Sequence, residues 1–358
     1  MDFQSRLAER AHRIRASKIR ELQPYLSIPE MISFGGGYPD PDTFAVQEVT
    51  IAFSTGNVGC ITEDTVDTAL QYGPTSGNQR LLHSLLSWHN ERDAVSLHEG
   101  NCAILNGSQE GLFILSFLFL ESDDSVVIAE PAYPGIVMAC SPFTRNVITV
   151  GLDDEGMCIH QLTGILTERR RKGMRSPKFI YTVPSGHNPS GVTLSSERRR
   201  ELITIAEEFD TLIIEDDPYR LISLDDGVQN ATIQSLEKSA RRVIRLDSFS
   251  KVFAPGLRLG YATGHPDIVR LMLLLKQSIN LQTGMLVQAF IDEYFNTHSA
   301  EEINEAIIKN CHIYRKNRDR MIEMARQLLP GDMRYTIPTH GFFIWFQMPG
   351  IQFRADDT

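Results

Sequence analysis

The chain has 358 residues, of which 42% are hydrophobic and 22% are charged, and its formal net charge is -10 at pH 7. This length suits one large domain with a smaller attachment. The acidic balance argues against nucleic-acid binding, because phosphate recognition needs a concentrated basic surface. The longest apolar run, from Leu112 to Leu120, is far shorter than the roughly 20 residues that cross a bilayer, so we expect no integral membrane role.

Five scattered cysteines, with no C-x-x-C pair among them, suggest neither a disulfide framework nor a metal site. We therefore expect a reducing compartment and predict a cytoplasmic protein. The predicted N-terminal arm, residues 1–40, begins with a segment rich in arginine and lysine. A surface or subunit-crossing arm is one interpretation of this segment, and a weak mitochondrial targeting sequence is the other.

After the arm, a helix is predicted over 77–92, where apolar side chains recur at helical spacing. From Cys102 onward, short β-branched runs alternate with helical segments, which indicates an α/β fold with a mostly parallel sheet buried on both faces. The predicted strands are 102–105, 125–130, 146–152, 178–184 and 211–217, and the predicted helices between them are 107–120, 131–140, 160–173 and 195–209. The stretch 242–263 ends this alternation as a strand, a polar turn and a second strand.

Beyond Thr263 the pattern changes to helices at 265–278, 285–295 and 300–328, followed by two strands at 333–337 and 342–346. We assign residues 41–283 to a large domain and residues 284–358 to a smaller, incomplete α/β domain. Ligands of open α/β sheets collect at the carboxyl ends of the strands. The loops at those ends are therefore the candidate site.

Several of these loops carry polar or aromatic groups. In GSQEG, at 107–111, the helix amides and Ser108 could hold an anion, although an N-cap role for Ser108 alone is the simpler interpretation. Tyr133 in EPAY could stack on a ligand or lie at the rim of the core. The loop PSGHNPSG, at 184–191, holds more prolines and glycines than a plain connection needs, which favours a positioned Asn188.

The remaining loops add charged groups. Asp216 and Asp217 follow the apolar strand TLII. One of them is expected to cap a turn, and the other is expected to be a buried carboxylate that needs a partner. The turn within 242–263 contributes Ser248, Ser250, Lys251 and Arg258.

Pyridoxal phosphate (PLP) is a cofactor that uses all of these groups. A lysine bonds to its aldehyde carbon, a carboxylate keeps its ring nitrogen protonated, and arginine, serine and helix amides bind its phosphate. An aromatic ring covers the pyridine face, and an asparagine binds the phenolic oxygen. The sequence lacks the G-x-G-x-x-G, G-x-x-x-x-G-K and H-E-x-x-H motifs of dinucleotide, nucleotide and zinc sites. It therefore predicts a PLP site and no metal.

Eight segments occur in the order typical of one known family: ISFGGGYPDP, ALQYGPTSG, NGSQEGL, EPAY, YTVPSGHNPSG, LIIEDDPY, DSFSKVFAPGLRLGY and GFFIWF. They span nearly the whole chain, which resembles the class I and II aminotransferases of PLP fold type I. Within this family it is most similar to the kynurenine/α-aminoadipate, 2-aminoadipate and aromatic aminotransferases. The resemblance implies the fold type I architecture and ping-pong transamination of an amino acid with a 2-oxo acid, commonly 2-oxoglutarate.

The resemblance also implies a role for each candidate residue. Lys251 would be the Schiff-base lysine and the carrier of the α-proton, and Asp216 would be the partner of the pyridine nitrogen. Tyr133 would stack on the ring, while Asn188 and Tyr219 would contact the phenolic oxygen. The implied phosphate ligands are Ser108, Gln109, Ser248, Ser250 and Arg258.

Further positions follow from the same resemblance. Tyr72 in ALQYGPTSG corresponds to a tyrosine that reaches the phosphate of a neighbouring subunit, so a homodimer is implied. Arg20 and Gly37 correspond to substrate-side positions, as does Asn188. The resemblance leaves the amino donor open among kynurenine, 2-aminoadipate and aromatic amino acids.

One departure from the family concerns the end of the sequence. Family members continue for several dozen residues past the FFIWF strand and there supply the arginine that grips the substrate α-carboxylate. Arg354 lies too early to match that arginine, and the sequence stops at Thr358. We therefore expect a fragment or an alternative product that encodes the cofactor chemistry, with impaired substrate binding.

Alternative functions stay open at this point. A PLP lyase acting on cysteine conjugates would use the same lysine and carboxylate, and a truncated PLP-binding protein would have little activity. A regulatory PLP-binding domain, as in some transcription factors, is a further alternative. Proteins of that kind carry a helix-turn-helix segment ahead of this domain, and the arm before Ile32 is too short to hold one.

Overall fold

The computed structural model describes residues 2–18, 21, 25, 28, 37–225, 230–237 and 241–348. Its helices are α1 (Glu63–Leu70), α2 (Gln79–Asp93), α3 (Ser108–Phe119), α4 (Pro134–Cys140), α5 (Ile159–Arg171), α6 (Ser196–Glu208), α7 (Ile233–Leu236), α8 (Pro266–Ile279), α9 (Met285–Thr297) and α10 (Ala300–Leu328). Its strands are β1 (Val49–Ala52), β2 (Val58–Ile61), β3 (Cys102–Leu105), β4 (Ser125–Glu130), β5 (Asn146–Asp153), β6 (Gly156–Met157), β7 (Phe179–Thr182), β8 (Leu212–Asp216), β9 (Val243–Ser248), β10 (Gly260–Thr263), β11 (Arg334–Tyr335) and β12 (Phe346–Gln347).

Strands β3 to β10 form one sheet in the order β3-β10-β9-β8-β7-β4-β5-β6. Neighbours among β9, β8, β7, β4 and β5 pair in parallel, whereas β10 is antiparallel to both β9 and β3. The short strand β6 is antiparallel to β5. The predicted mostly parallel sheet is therefore confirmed, and the carboxyl ends of β3, β4, β7, β8 and β9 meet at one edge.

Helices cover both faces of this sheet because the side chains of each strand alternate between two apolar clusters. On β4, Val126 packs in one cluster and Val127 packs in the other, and on β8 Ile214 and Ile213 divide in the same way. Helices α3, α4 and α8 contribute to the first cluster, and α5 and α6 contribute to the second. Across the described residues, no helix is long and apolar enough to span a membrane.

Polar caps fix where the helices around this core begin. At the start of α2, Asn78 Oδ1 accepts hydrogen bonds from the backbone amides of Arg80 and Leu81 at 2.9 and 3.2 Å. At the start of α10, Ser299 and Glu302 form a reciprocal capping box. Both helices consequently start within two residues of their predicted first positions, 77 and 300.

The C-terminal segment differs from its prediction. The strand predicted over 342–346 is wrong for most of its length, because β12 begins only at Phe346. Phe342 and Phe343 instead pack edge-on against Tyr219, with ring centroids 5.4 and 5.5 Å apart. These aromatic contacts draw the backbone out of a strand ladder and bring it to the edge where the carboxyl ends of the large sheet meet. The hairpin of β1 and β2 is a second element that the sequence does not predict.

The first part of the predicted N-terminal arm, residues 2–18, lies against the rest of the same chain. Phe3, Leu7 and Ala11 are buried in the apolar cluster that holds α3. Arg6 forms a salt bridge with Asp210 at 3.1 Å. Apolar burial and charge pairing together fasten this segment to the large sheet.

Candidate active site

The loops at the carboxyl ends of β3, β4, β7, β8 and β9 surround a cavity of about 180 Å³. Strand β10 runs the other way, so the residues that precede it lie at the same edge of the sheet. Ten of the site residues predicted from the sequence line this cavity. They are Ser108, Gln109, Tyr133, Asn188, Asp216, Tyr219, Ser248, Ser250, Lys251 and Arg258.

The first wall of the cavity is the N-terminus of α3. The cap of this helix is Gly107, with φ of 80° and no capping side chain, and Ser108 is the first helical residue. The interpretation of Ser108 as an N-cap is therefore wrong. A Cβ atom at Gly107 would lie 2.7 Å from Arg258 Nη2, and the positive φ at this position favours glycine. The arrangement leaves the helix amides available to an anion beside a guanidinium.

Hydroxyl groups complete this anion-binding region. Arg258 Nη1 donates to Ser250 Oγ at 3.3 Å, and Ser248 Oγ donates to Ser250 Oγ at 2.9 Å. Arg258 has φ of 50°, and its guanidinium also donates to the Pro255 carbonyl at 3.3 Å. A guanidinium, two serine hydroxyls and a helix N-terminus form a donor set suited to a phosphate group.

Asp216 also lines the cavity and is 3% exposed. Its Oδ2 accepts a hydrogen bond from Tyr181 at 2.8 Å, whereas Oδ1 has no hydrogen-bond partner in the structure as described. Burial raises the pKa of Asp216 to about 7, and the charges of Asp247 and Asp217 add to this effect. A buried carboxylate oxygen without a donor fits a protonated ring nitrogen, which would supply both the hydrogen bond and the positive charge.

Asp217 points away from this cavity. Its Oδ2 lies 3.2 Å from Arg245 Nη1, in a buried salt bridge. The expectation that one of the two aspartates caps a turn is therefore wrong for Asp217, because its carboxylate pairs with an arginine. Of the two aspartates, Asp216 is the one that lines the cavity.

Aromatic and amide groups line the sides of the cavity. Tyr133 donates to Gln109 Oε1 at 3.3 Å, and Gln109 Nε2 donates to the Gly135 carbonyl at 2.8 Å, so the glutamine orients the tyrosine ring. Burial is the main cause that raises the pKa of Tyr219, and a hydrogen bond with Asn188 opposes that rise. The Asn188 amide and the Tyr219 hydroxyl therefore lie next to each other at the cavity wall.

Lys251 extends from the turn after β9 into the same space. Its Nζ lies 5.8 Å from the ring centre of Tyr219 and 5.7 Å from that of Phe342. No residue within the described ranges forms a salt bridge with it. An amine close to aromatic faces and without a counter-ion can bond to an aldehyde or carry a proton.

The cavity lining also includes residues that the sequence analysis does not predict, among them Tyr181 and Phe343. Tyr181, the donor to Asp216, sits within an apolar strand, and its only signal is a hydroxyl on an otherwise apolar run. Phe343 lines the cavity from the C-terminal segment, where the sequence suggests an ordinary strand. Both residues reach the site through strand register and tertiary packing.

Other site residues predicted from the sequence are not part of the described cavity lining. Tyr72 is 51% exposed and does not line the cavity of its own chain. Gly37, with φ of 61°, is exposed and likewise lies outside the cavity lining. Arg20 and Arg354 fall outside the described residues.

Comparison with known proteins agrees with this arrangement. The family model for aminotransferase class I and II matches residues 31–354. The chain is 31% identical over 353 residues to aromatic-amino-acid aminotransferase 1 of Thermococcus litoralis, covering 98% of this chain and 81% of that protein. It is 32% identical over 354 residues to the mitochondrial kynurenine/alpha-aminoadipate aminotransferase of Bos taurus, covering 94% of this chain and 82% of that one.

A solved structure gives the same result. The kynurenine aminotransferase of Pyrococcus horikoshii, determined in complex with PMP, is 33% identical to this chain with a TM-score of 0.76. The match covers 98% of this chain and 84% of that one. On the evidence of the family model, the sequence identity and the shared fold, this chain belongs to the class I and II aminotransferases.

Proposed function

We propose that this protein binds PLP in the cavity at the carboxyl edge of the sheet and transfers an amino group from an aromatic-type amino acid to a 2-oxo acid. One observation carries the proposal. Lys251, the unpaired Oδ1 of Asp216 and the anion-binding region around Arg258 all face a single cavity. PLP needs these three groups: an amine that bonds to its aldehyde, a carboxylate that pairs with its ring nitrogen, and a site for its phosphate.

Each of these residues would bind a different part of the cofactor. Asp216 Oδ1 would accept the ring-nitrogen hydrogen bond, Arg258 and the amides of α3 would take the phosphate, and Tyr133 would cover the ring. When bound, PLP supplies an aldehyde carbon that bonds amines and a ring that withdraws electrons from them. A carboxylate kept ionised at the ring nitrogen strengthens that withdrawal.

The chain's own proton chemistry centres on Lys251. Its Nζ would take the α-proton of the amino acid and return it one carbon away, as general base and then general acid. The Tyr219 and Asn188 pair beside it would orient the phenolic oxygen. Phe343 adds an apolar ring to the cavity lining.

Aromatic side chains favour an aromatic donor. The rings of Tyr314 and Phe342 stack 5.4 Å apart, and Phe342 in turn contacts Tyr219 at the same edge of the sheet. Apolar rings of this kind suit an aromatic or kynurenine-type side chain.

The cofactor assignment is tested by chemical trapping. Borohydride treatment of the PLP-loaded protein, followed by peptide mass mapping, should place a covalent adduct on Lys251. Lys251→Ala should lose the adduct and reduce turnover by at least about 10²-fold, the usual scale for a lost proton carrier. The exposed Lys172→Ala is the matched control. An unchanged adduct in Lys251→Ala would refute the site.

The reaction is tested by its products. With phenylalanine or kynurenine and 2-oxoglutarate we expect glutamate, at a higher kcat/KM than with 2-aminoadipate. Pyruvate and ammonia from a cysteine conjugate, without glutamate, would identify a PLP lyase instead. A preference for 2-aminoadipate would refute the aromatic donor while leaving transamination in place.

We also propose a homodimer in which Tyr72 serves the partner's cofactor site, as the family resemblance implies. The exposure of Tyr72 and its position outside its own cavity support this arrangement. A mixture of Tyr72→Phe and Lys251→Ala chains tests it, because a mixed dimer would contain one site with a lysine and a partner tyrosine. Activity above the sum of the two separate variants is expected, and simple additivity would contradict the proposal. Roles for Arg20 and Gly37 toward the substrate remain predictions from the same resemblance.

We propose a reducing compartment for the protein, the cytoplasm first and the mitochondrion as the alternative. All five cysteines are free, which supports such a compartment. Subcellular fractionation of cells that express the tagged protein would distinguish the two locations.

A further inference from the structure

A second group of charged side chains lies on the opposite face of the sheet, behind the cavity. Because side chains alternate along a strand, Asp216 faces the cavity while its neighbours Glu215 and Asp217 face away from it. The group, which we term the rear charge cluster, consists of Glu215, Asp217, Arg245, Asp247 and Tyr261.

Arg245 is the centre of the rear charge cluster and is 1% exposed. Its Nη1 lies 3.2 Å from Asp217 Oδ2 and 3.5 Å from Glu215 Oε1. Its Nη2 lies 2.7 Å from Asp247 Oδ2. One guanidinium therefore bridges Glu215 on β8, Asp217 just after β8 and Asp247 on β9, with the planar, fixed donor geometry that distinguishes arginine from lysine.

The bridge reaches the cavity through Asp247. The Oδ1 atom of Asp247 accepts a hydrogen bond from the backbone amide of Ser248 at 2.8 Å, and Tyr261 donates to Oδ2 at 3.2 Å. Ser248 belongs to the anion-binding region on the cavity side. Arg245 thus ties together the two strand ends from which Asp216 and Ser248 enter the cavity.

Arg245 also balances charge close to Asp216. The carboxylates of Asp217 and Asp247 both raise the pKa of Asp216, in addition to the effect of burial. Without the guanidinium, three buried carboxylates would lose their shared cation, which is strongly unfavourable. The loss of that positive charge would also make Asp216 harder to ionise.

We propose that Arg245 is a positioning residue for the cofactor, which acts from the far face of the sheet by fixing the ends of β8 and β9 and by balancing the charge behind Asp216. It would touch neither the cofactor nor the substrate. The inference rests on the proposed function, because it concerns how the PLP site is held. An arginine with a merely structural role would stabilise the fold without changing the affinity for PLP or the titration of bound PLP.

The test compares Arg245→Lys, which keeps the charge, with Arg245→Met, which removes it. Lys178→Met is the matched control, because Lys178 forms a salt bridge with Asp124 at 3.4 Å near the opposite ends of β7 and β4. For each protein we would measure thermal unfolding of the apoprotein, the dissociation constant for PLP, and the pH at which the absorbance of bound PLP changes.

We expect Arg245→Met to bind PLP about 10- to 100-fold more weakly, the scale seen when a supporting residue of a bound group is removed. The pH midpoint of the absorbance change of bound PLP should be higher in Arg245→Met, because loss of a nearby cation favours the protonated form of a titrating group. Arg245→Lys should restore the pH midpoint but only part of the affinity. Lys178→Met should lower thermal stability and leave both PLP measurements unchanged.

One result would overturn the inference: folded Arg245 variants that match the wild-type protein in PLP affinity and in pH midpoint, whether or not their thermal stability falls as it does in the control. If neither arginine variant folds, Tyr261→Phe removes one donor to Asp247 and should weaken PLP binding slightly, and wild-type affinity in that variant would count against the role. Failure of the wild-type protein to form the borohydride adduct on Lys251 would instead contradict the proposed function.

Discussion

The two faces of the sheet at the ends of β8 and β9 bury carboxylates in contrasting ways. On the rear face, Asp217 and Asp247 share the guanidinium of Arg245 within 3.2 Å. On the cavity face, Asp216 has a tyrosine hydroxyl at 2.8 Å and no arginine or lysine in a salt bridge with it among the described residues. The rear carboxylates are thus paired with a guanidinium of the same chain, whereas Asp216 on the cavity face forms no salt bridge among the described residues.

This difference distinguishes carboxylates that stabilise the fold from a carboxylate that is a candidate for ligand binding. Burying a carboxylate without a cation is unfavourable, so a position that leaves one in that state is a candidate for ligand binding. A carboxylate that is paired within the chain gives no such indication. Two consecutive residues supply both kinds of carboxylate, because Asp216 ends β8 and Asp217, the next residue, faces the opposite side of the sheet.

The largest effect is expected from Asp216→Asn. The substitution keeps the shape of the side chain and an oxygen for Tyr181, but it removes the charge that would hold the ring nitrogen protonated. We expect kcat to fall by about 10²- to 10³-fold, the scale of a lost preorganised electrostatic contact. Steady-state kinetics would measure this, with the exposed Asp123→Asn as the control. Near-normal turnover in Asp216→Asn would contradict the assignment.

The next effect concerns the stability of the apoprotein. The pKa of Asp216 is raised from 3.8 to about 7, so between these values the folded state holds a proton that the unfolded state has released. The free energy of unfolding should therefore fall as pH rises through this window, by up to about 1.4 kcal/mol per pH unit. Urea unfolding of the wild-type apoprotein and of Asp216→Asn at several pH values would measure the difference. Equal pH profiles would show that Asp216 is not the group responsible.

The location of the cavity could be predicted from sequence because its residues follow strands. Lys251, Asn188 and Asp216 each stand just beyond an apolar run, and parallel pairing brings such ends to one edge. The alternation of strands and helices was sufficient for that step. The local pattern does not distinguish Asp216 from Asp217, because it does not determine which of two consecutive residues faces the cavity. Only the family resemblance indicates Asp216.

Contacts that depend on register could not be predicted in this way. Tyr181 meets Asp216 because β7 and β8 pair with Tyr181 opposite Ile214, a register that the two sequences do not fix by themselves. The position of Phe342 depends on its packing against Tyr219, which overrides the strand pattern of its segment. Long-range packing decides both positions.

The smallest effect is expected from Tyr181→Phe, compared with the same substitution at Tyr261 on the rear face. Tyr181 supplies the hydrogen-bond donor to Asp216 at 2.8 Å, whereas the carboxylate that Tyr261 contacts also has Arg245. Loss of one such hydrogen bond is worth about 0.5–1.5 kcal/mol, so PLP affinity should fall about two- to tenfold in Tyr181→Phe.

Tyr261→Phe should produce the smaller change, because the guanidinium still neutralises the carboxylate that the hydroxyl leaves. Titration of each apoprotein with PLP, followed by absorbance, would measure both affinities. Equal losses in the two variants would show that the cavity face and the rear face hold their carboxylates equally firmly. A larger loss of PLP affinity in Tyr181→Phe would show that Asp216 depends more on its tyrosine donor than Asp247 does. This is the behaviour expected of a carboxylate that pairs with the protonated ring nitrogen of a ligand rather than with an arginine of the chain.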